Sequence, residues 1–562
     1  MLEGFEKKYA NFLSFGLFFI TILVIAGPVT DPVNVPKMLA LSTFSFGALT
    51  YLLLNRNYKI IYQEKPIYFL SLFFIGFSMI SVFMSTSPFT QNLYGIYGRN
   101  TGFLTYLSFI FVFAVISIFK DSVNLERLYI FFILAGLVNV VYGFVVEIFG
   151  DPIIWNNNYG ALLSLLGNPD FGGALYGILS AILLAYAFKI RTSKLKAIAT
   201  IIFMFASLYC VLLTKTTQGI LVAAISISIV LLLYVYIEIK NRLFLLSLLF
   251  ITFFSGILTT LGMFQIGPLA NLVYKRSVSL RGVYWDAAIN TGISHLFSGV
   301  GFDAFGDWYR RSRSLKASTW FPGPETITNV AHNYYLDIFA NGGILLLTTY
   351  IGISTLGLIS IFKILKGMKK FEFLPVVMIT FYFGFQAQAL ISIPQIGLSV
   401  WGWVNIASLY SYSKLSSHNV PVNKIFKKSK SSNPNETPVG VLIFVGMIIG
   451  FILAMPAYIS DAKWTNAINS QDVKRVDSAL QPSYLNPYNS DRLANAALLL
   501  QRSNFSDKAH EVALKGIKYN PDFFSAWKIL YYLPASTESE RKIALANMKR
   551  LDPLNPNLEK LK

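Results

Sequence analysis

The chain has 562 residues, 54% of them hydrophobic and only 13% charged, with a mean hydropathy of +0.54, a balance that excludes an ordinary water-soluble enzyme and makes lipid the main solvent. A formal charge of +19 would suit nucleic acid, but the lysines and arginines fall in short clusters between apolar runs and form no continuous basic face, so nucleic acid is excluded as a partner. The lone Cys210 permits no intrachain disulfide, and the four scattered histidines leave no zinc pattern, so neither metal nor other cofactor is expected.

Thirteen apolar runs are long enough to cross the hydrocarbon layer as helices. In order they are 11–27, 38–54, 66–85, 102–119, 128–149, 171–188, 196–213, 218–237, 243–263, 334–362, 374–392, 395–412 and 438–458. The fold class is therefore all-α, a polytopic transmembrane bundle of about 12–13 spans followed by a small soluble helical domain. The first run, behind Lys7 and Lys8, reads as an uncleaved helix, because so many spans follow it.

Positive charge alternates from loop to loop. Lys7 and Lys8, Arg56 to Lys65, Lys120 and Arg127, Lys189 to Lys196, Lys240 and Arg242, Lys363 to Lys370, and Lys414 to Lys430 share one side. The opposite short loops hold only Lys37, Arg99 and Lys215. Cytoplasmic loops retain lysine and arginine, so the N-terminus is expected inside. The membrane domain then spans 1–412, with a large external loop at 264–333. Residues 413–437 form a basic cytoplasmic linker against anionic lipid, 438–458 the final span, and 459–562 an external tail.

In that tail Asn486-Pro487 recurs as Asn520-Pro521 after 34 residues, and Asp552-Pro553 follows 32 later. Alanine-bearing helical stretches, Arg492 to Leu500, Ala509 to Ile517 and Arg541 to Met548, lie between. This period resembles tetratricopeptide repeats, which stack helix pairs into a groove and imply a protein partner.

The segments able to carry chemistry all fall outside on this topology. They are Tyr94 to Gly102, the Gly167-Asn168-Pro169-Asp170 element, Thr214 to Gly219, and within the large loop Arg281 to Trp285, Gly299 to Asp303 and Ala331 to Asp337. Arg281 followed by Trp285, then Gly299-x-Gly301, then His332-Asn333 opening a helix resembles the O-antigen ligase and O-antigen polymerase superfamily over about residues 90–410. That resemblance implies a GT-C-type bacterial plasma-membrane glycosyltransferase. It would move a glycan from a polyprenyl-diphosphate carrier to a hydroxyl of a glycan, lipid or protein acceptor. It also implies that Arg281 binds the donor diphosphate and stabilises the leaving group, and that His332 takes the acceptor proton.

The chemistry agrees, since guanidinium forks bind diphosphate oxygens in pairs and imidazole accepts a proton near neutral pH. Arg99, Lys215 and Arg276 are further diphosphate candidates. Arg310, Arg311 and Arg313, like Arg276, read as a patch that steers an anionic donor. Gln218 stands where many family members carry arginine, leaving Lys215 as the nearest cation. Asp337 lies more than a turn beyond His332 and is given no orienting role. Two rival readings stay open: a lipid-linked sugar transporter, which the near absence of charge within the spans disfavours, and a scaffold for polysaccharide assembly acting through the tail.

Overall fold

The computed structural model describes residues 2–155, 157–263, 265–273, 276–417, 439–470 and 472–561. A helix occupies each of the thirteen apolar runs. Among the described residues, nine helices are long and apolar enough to cross a membrane, and Phe103–Ile116 and Phe373–Ala389 are shorter apolar helices. Most of the 413–437 linker lies outside the described residues. The protein is an all-helical, multi-pass membrane protein.

The core is aromatic. Trp401, Trp403, Tyr129, Tyr334, Tyr350 and Phe109 are fully buried, and Trp403 packs its ring against Phe74, Phe109 and Tyr350. Edge-to-face and offset contacts of this kind add to area burial. By contrast, Leu243, Phe250 and Phe253 of helix Arg242–Met263 are largely exposed, as suits a lipid-facing surface.

The alternating loops sort to two ends of the bundle. At one end Glu6 accepts hydrogen bonds from the Lys120 and Asp121 amides, Lys189 pairs with Glu126, Arg191 pairs with Glu238 and Lys414 pairs with Glu64. At the other end Asn34 donates to the Gly98 carbonyl, Leu162 to that of Leu213, and Asn333 to that of Leu390. Lys37 is not a loop charge. It is fully buried in helix Asn34–Leu49, and its ammonium donates to the Ile20 and Thr21 carbonyls at 2.9 and 2.8 Å, capping the end of helix Leu2–Ile22.

The segment 264–333 is no open loop. It folds into helices Arg276–Ser294, Phe305–Ser312 and Leu315–Thr319. It is anchored by a break in helix Tyr334–Gly367 at Gly343 (φ +71°, ψ −174°), which frees carbonyls that would otherwise bond within the helix. Val300 and Gly301 donate to the freed Ala340 and Asn341 carbonyls at 3.0 and 2.9 Å. Gly301 (φ +106°) passes so close that a Cβ there would lie 2.2 Å from Ser85 Oγ, so that motif position accepts only glycine.

Helix Val439–Ser470 runs straight past the expected boundary at 458. Its Gly446 and Gly450 lie against helix Asn34–Leu49, where a Cβ on Gly450 would meet the Ser42 carbonyl oxygen at 2.2 Å. Small residues four apart permit such close approach. The tail, built of helix pairs Ser490–Arg502 with Ser506–Tyr519 and Phe524–Tyr532 with Glu538–Leu551, lies on the 264–333 segment, where Asp522 and Asp552 meet its arginines.

Candidate functional site

Helix Arg276–Ser294 carries Arg281, Tyr284 and Trp285 at i, i+3 and i+4, which puts them on one face. His332 sits just before helix Tyr334–Gly367 in the left-handed conformation (φ +54°). Asn333 caps that helix, its Oδ1 accepting from the Tyr335 and Leu336 amides. Trp285 Nε1 donates to the His332 carbonyl oxygen at 3.4 Å. The Tyr284 ring stacks on the imidazole with centroids 5.6 Å apart. The motif spacing now has a physical reason, because one helix face supplies both the cation and the two aromatic rings that seat the histidine.

Arg281 Nη2 reaches Asp170 Oδ2 and Gln218 Oε1, each at 3.4 Å, and its side chain is 14% exposed. Both distances are long for hydrogen bonds, so oxygens of a bound anion could compete for the fork. Asn168 caps helix Pro169–Lys189 through the Asp170 amide. A Cβ on Gly219 would come 2.8 Å from Gly173 Cα, and that close helix packing brings Gln218 beside Asp170.

Arg99 stands on a loop stapled by Asp303. Asp303 Oδ2 accepts from the Ile96 and Thr101 amides, each at 3.1 Å, and Oδ1 from Thr101 Oγ1 at 2.7 Å. Arg99 itself donates to Asn329 Oδ1 at 3.4 Å. Burial first, then the charges of Arg99 and Arg281, push the His332 imidazole down from 6.5 to about 3. The ring is therefore neutral at physiological pH, and a weak base while no bound anion offsets the two arginines. No side chain among the described residues hydrogen-bonds its nitrogens. Asp337 accepts instead from the Ala331 amide at 2.8 Å, which fixes the backbone before His332 and leaves the ring alone.

The other candidates fare differently. Lys215 donates its ammonium to the Gly160 carbonyl at 2.7 Å, which braces the 157–167 stretch, while Gln218 rather than Lys215 reaches Arg281. The Arg276 side chain lies outside the described residues. Arg310, Arg311 and Arg313 form no open steering patch, because the tail covers them. Arg313 makes a bidentate pair with Asp552 at 2.6 and 2.8 Å, both side chains being 0% exposed. Arg310 also pairs with Asp552 and lies over the Phe524 ring, and Arg311 pairs with Asp522. Buried arginines need such partners, and sequence alone does not show where the partners are.

Sequence reasoning missed Asp170 and Gln218 as partners of Arg281, and Asp303 as the staple of the Arg99 loop. Asp303 had a signal, since it closes the Gly299-Val-Gly-Phe-Asp303 run. Among the described residues no group of three or more His, Cys, Asp or Glu could hold a metal ion.

Over residues 202–351 the chain matches the family model for O-antigen ligase. No curated protein matches it. The matched stretch holds Arg281, Trp285, Gly299, Gly301, His332 and Asn333, whereas Arg99 and Asp170 come to the same site from outside it.

Proposed function

We propose that this chain, with its O-antigen-ligase-like domain, is a glycosyltransferase of the bacterial plasma membrane that moves a glycan from a polyprenyl-diphosphate carrier to an acceptor hydroxyl on the outer face. The observation that carries this is a buried imidazole seated by Trp285 and Tyr284 on the helix face that also presents Arg281, with Arg281 and Arg99 near enough to lower its basicity. Arg281 and Arg99 bind the donor diphosphate. His332 takes the proton of the acceptor hydroxyl as that oxygen bonds to the anomeric carbon. The bond from the anomeric carbon to the diphosphate oxygen breaks, and its electron pair leaves on the carrier diphosphate, whose charge the guanidinium groups stabilise. Bound diphosphate would also offset the two positive charges that depress the imidazole, raising its basicity when the substrate is in place. The charge alternation of the loops supports a cytoplasmic N-terminus with the site and tail outside.

The test is transfer by the purified full-length protein, supplied with carrier-linked glycan from its own host, comparing wild type with His332→Ala and Arg281→Ala. Loss of both carrier diphosphate release and glycan transfer in folded variants is expected; undiminished transfer would reject the residue roles.

A further inference from the structure

A cavity of about 350 Å³ opens between the 26–34 loop on one side and Ile154, Trp155, Leu163 and Gly167 on the other. Asp31, Asn34, Ile154, Trp155, Leu163 and Gly167 are among the residues that line it. Two of its lining residues connect to the segments that carry the site. Asn34 Nδ2 donates at 2.9 Å to the carbonyl of Gly98, the residue before Arg99. Gly167 precedes Asn168, the cap of the helix that carries Asp170, which pairs with Arg281.

Its lining has the chemistry of a sugar site. Trp155 is held in place by Asp151, whose Oδ2 accepts from the indole Nε1 at 2.6 Å while its Oδ1 accepts from the Tyr142 hydroxyl at 2.6 Å. The Tyr142 ring meets the indole edge-on, with centroids 6.4 Å apart. An indole fixed by its polar edge leaves an apolar face for the C–H side of a pyranose. Asp31 is 6% exposed. Its Oδ1 accepts from the Val33 and Asn34 amides, which fixes the backbone of the 26–34 wall. Ligand pockets of roughly 300–1,000 Å³ are usual for small molecules, so this one is sized for a short saccharide.

We propose that this cavity is a saccharide subsite in which Trp155 stacks on a sugar ring, holding one of the two glycans of the transfer next to the loop that carries Arg99 and the helix that carries Asp170. The inference rests on the glycan-transfer reading and adds Trp155 as a residue that holds the sugar. The two glycans offer the same chemistry, and the kinetic arms below tell donor from acceptor.

The experiment uses the full-length protein in nanodiscs and two binding probes. One is inorganic pyrophosphate; the other is the oligosaccharide released from the host's carrier-linked pool, free of lipid and phosphate. Wild type is expected to bind both. Trp155→Ala should lose about tenfold in saccharide affinity with pyrophosphate binding unchanged, and Trp155→Phe should keep most of it, which separates stacking from misfolding. In transfer assays, a KM rise in Trp155→Ala confined to the donor places the donor sugar in the cavity, and one confined to the acceptor places the acceptor. Equal saccharide affinity in wild type and Trp155→Ala would overturn the subsite. Wild type that binds pyrophosphate but no saccharide would overturn the subsite alone, and wild type that binds neither would overturn the glycan-transfer reading as well.

Discussion

Trp285 donates its indole N–H to the main-chain carbonyl of His332 at 3.4 Å, so the residue four positions beyond Arg281 holds the backbone of the proposed base. A left-handed residue without glycine persists only where its surroundings hold it. Trp285→Phe keeps the ring and removes the donor. A net hydrogen bond is worth about 1 kcal/mol, so kcat is expected to fall several-fold with pyrophosphate affinity unchanged. Unchanged kcat in steady-state assays would show that something else seats the imidazole.

Arg281→Lys separates fork from charge. Lysine is a point charge and does not reproduce paired guanidinium contacts, so Arg281→Lys should behave nearly as Arg281→Ala, each lowering transfer by about 10²–10³-fold. Initial rates of carrier diphosphate release measure this; recovery in the lysine variant would reduce the role of Arg281 to charge alone.

The lowered His332 value makes a signed prediction for stability. As pH falls below 6.5 the unfolded chain takes up a proton on this imidazole, while the folded protein declines it until about 3. The associated stability is complete above 6.5 and is lost progressively as pH falls toward 3. His332→Gln should flatten that slope, read from denaturation midpoints at pH 7.5 and 5.5. In kinetics, the free-enzyme profile of kcat/KM should show no His332 limb between pH 5 and 8. The kcat profile should show one at higher pH than kcat/KM does, because bound diphosphate offsets Arg99 and Arg281.

Asp552→Asn removes the charge that neutralises Arg313 where both side chains are 0% exposed. Breaking a buried pair from one side costs about 3–5 kcal/mol. Thermal unfolding of the purified protein should show a large downward shift. Activity should fall too, since Arg313 follows helix Phe305–Ser312, whose Tyr309 meets Tyr284 edge-on, and Tyr284 stacks on His332. A tail that served only to recruit partners would leave both readings unchanged.

Gly301→Ala tests the broken-helix anchor. With φ +106° and Ser85 Oγ 2.2 Å from the added Cβ, strain and displacement together should cost about 2–4 kcal/mol, seen as loss of folded protein on gel filtration. A fully active alanine variant would show that the Gly299-x-Gly301 turn is more tolerant than its geometry implies.

Much of the site was legible because its parts are local. Arg281 and Trp285 declare themselves by helical spacing, and His332-Asn333 by the cap that Asn333 makes. Gln218 was visible only as a departure from a family pattern, although it reaches Arg281 where Lys215 braces Gly160. Asp303 and Arg99 were both in view, but nothing in the order of residues joined them. The basic patch was misjudged for the same reason, because the partner of Arg313 lies 239 residues away.

Whether a stretch crosses lipid depends on its own length and polarity, set by helix rise and the thickness of the hydrocarbon layer. The amino-acid sequence by itself therefore determined the helices, the alternation of their loops and the residue types at the site. Which distant groups meet was decided only by tertiary packing. Gly446 and Gly450 let the last long apolar helix approach helix Asn34–Leu49, Asp522 and Asp552 hold the tail against the arginines of the 264–333 segment, and burial makes Arg313 require Asp552 and, with the charges of Arg99 and Arg281, keeps the His332 imidazole neutral.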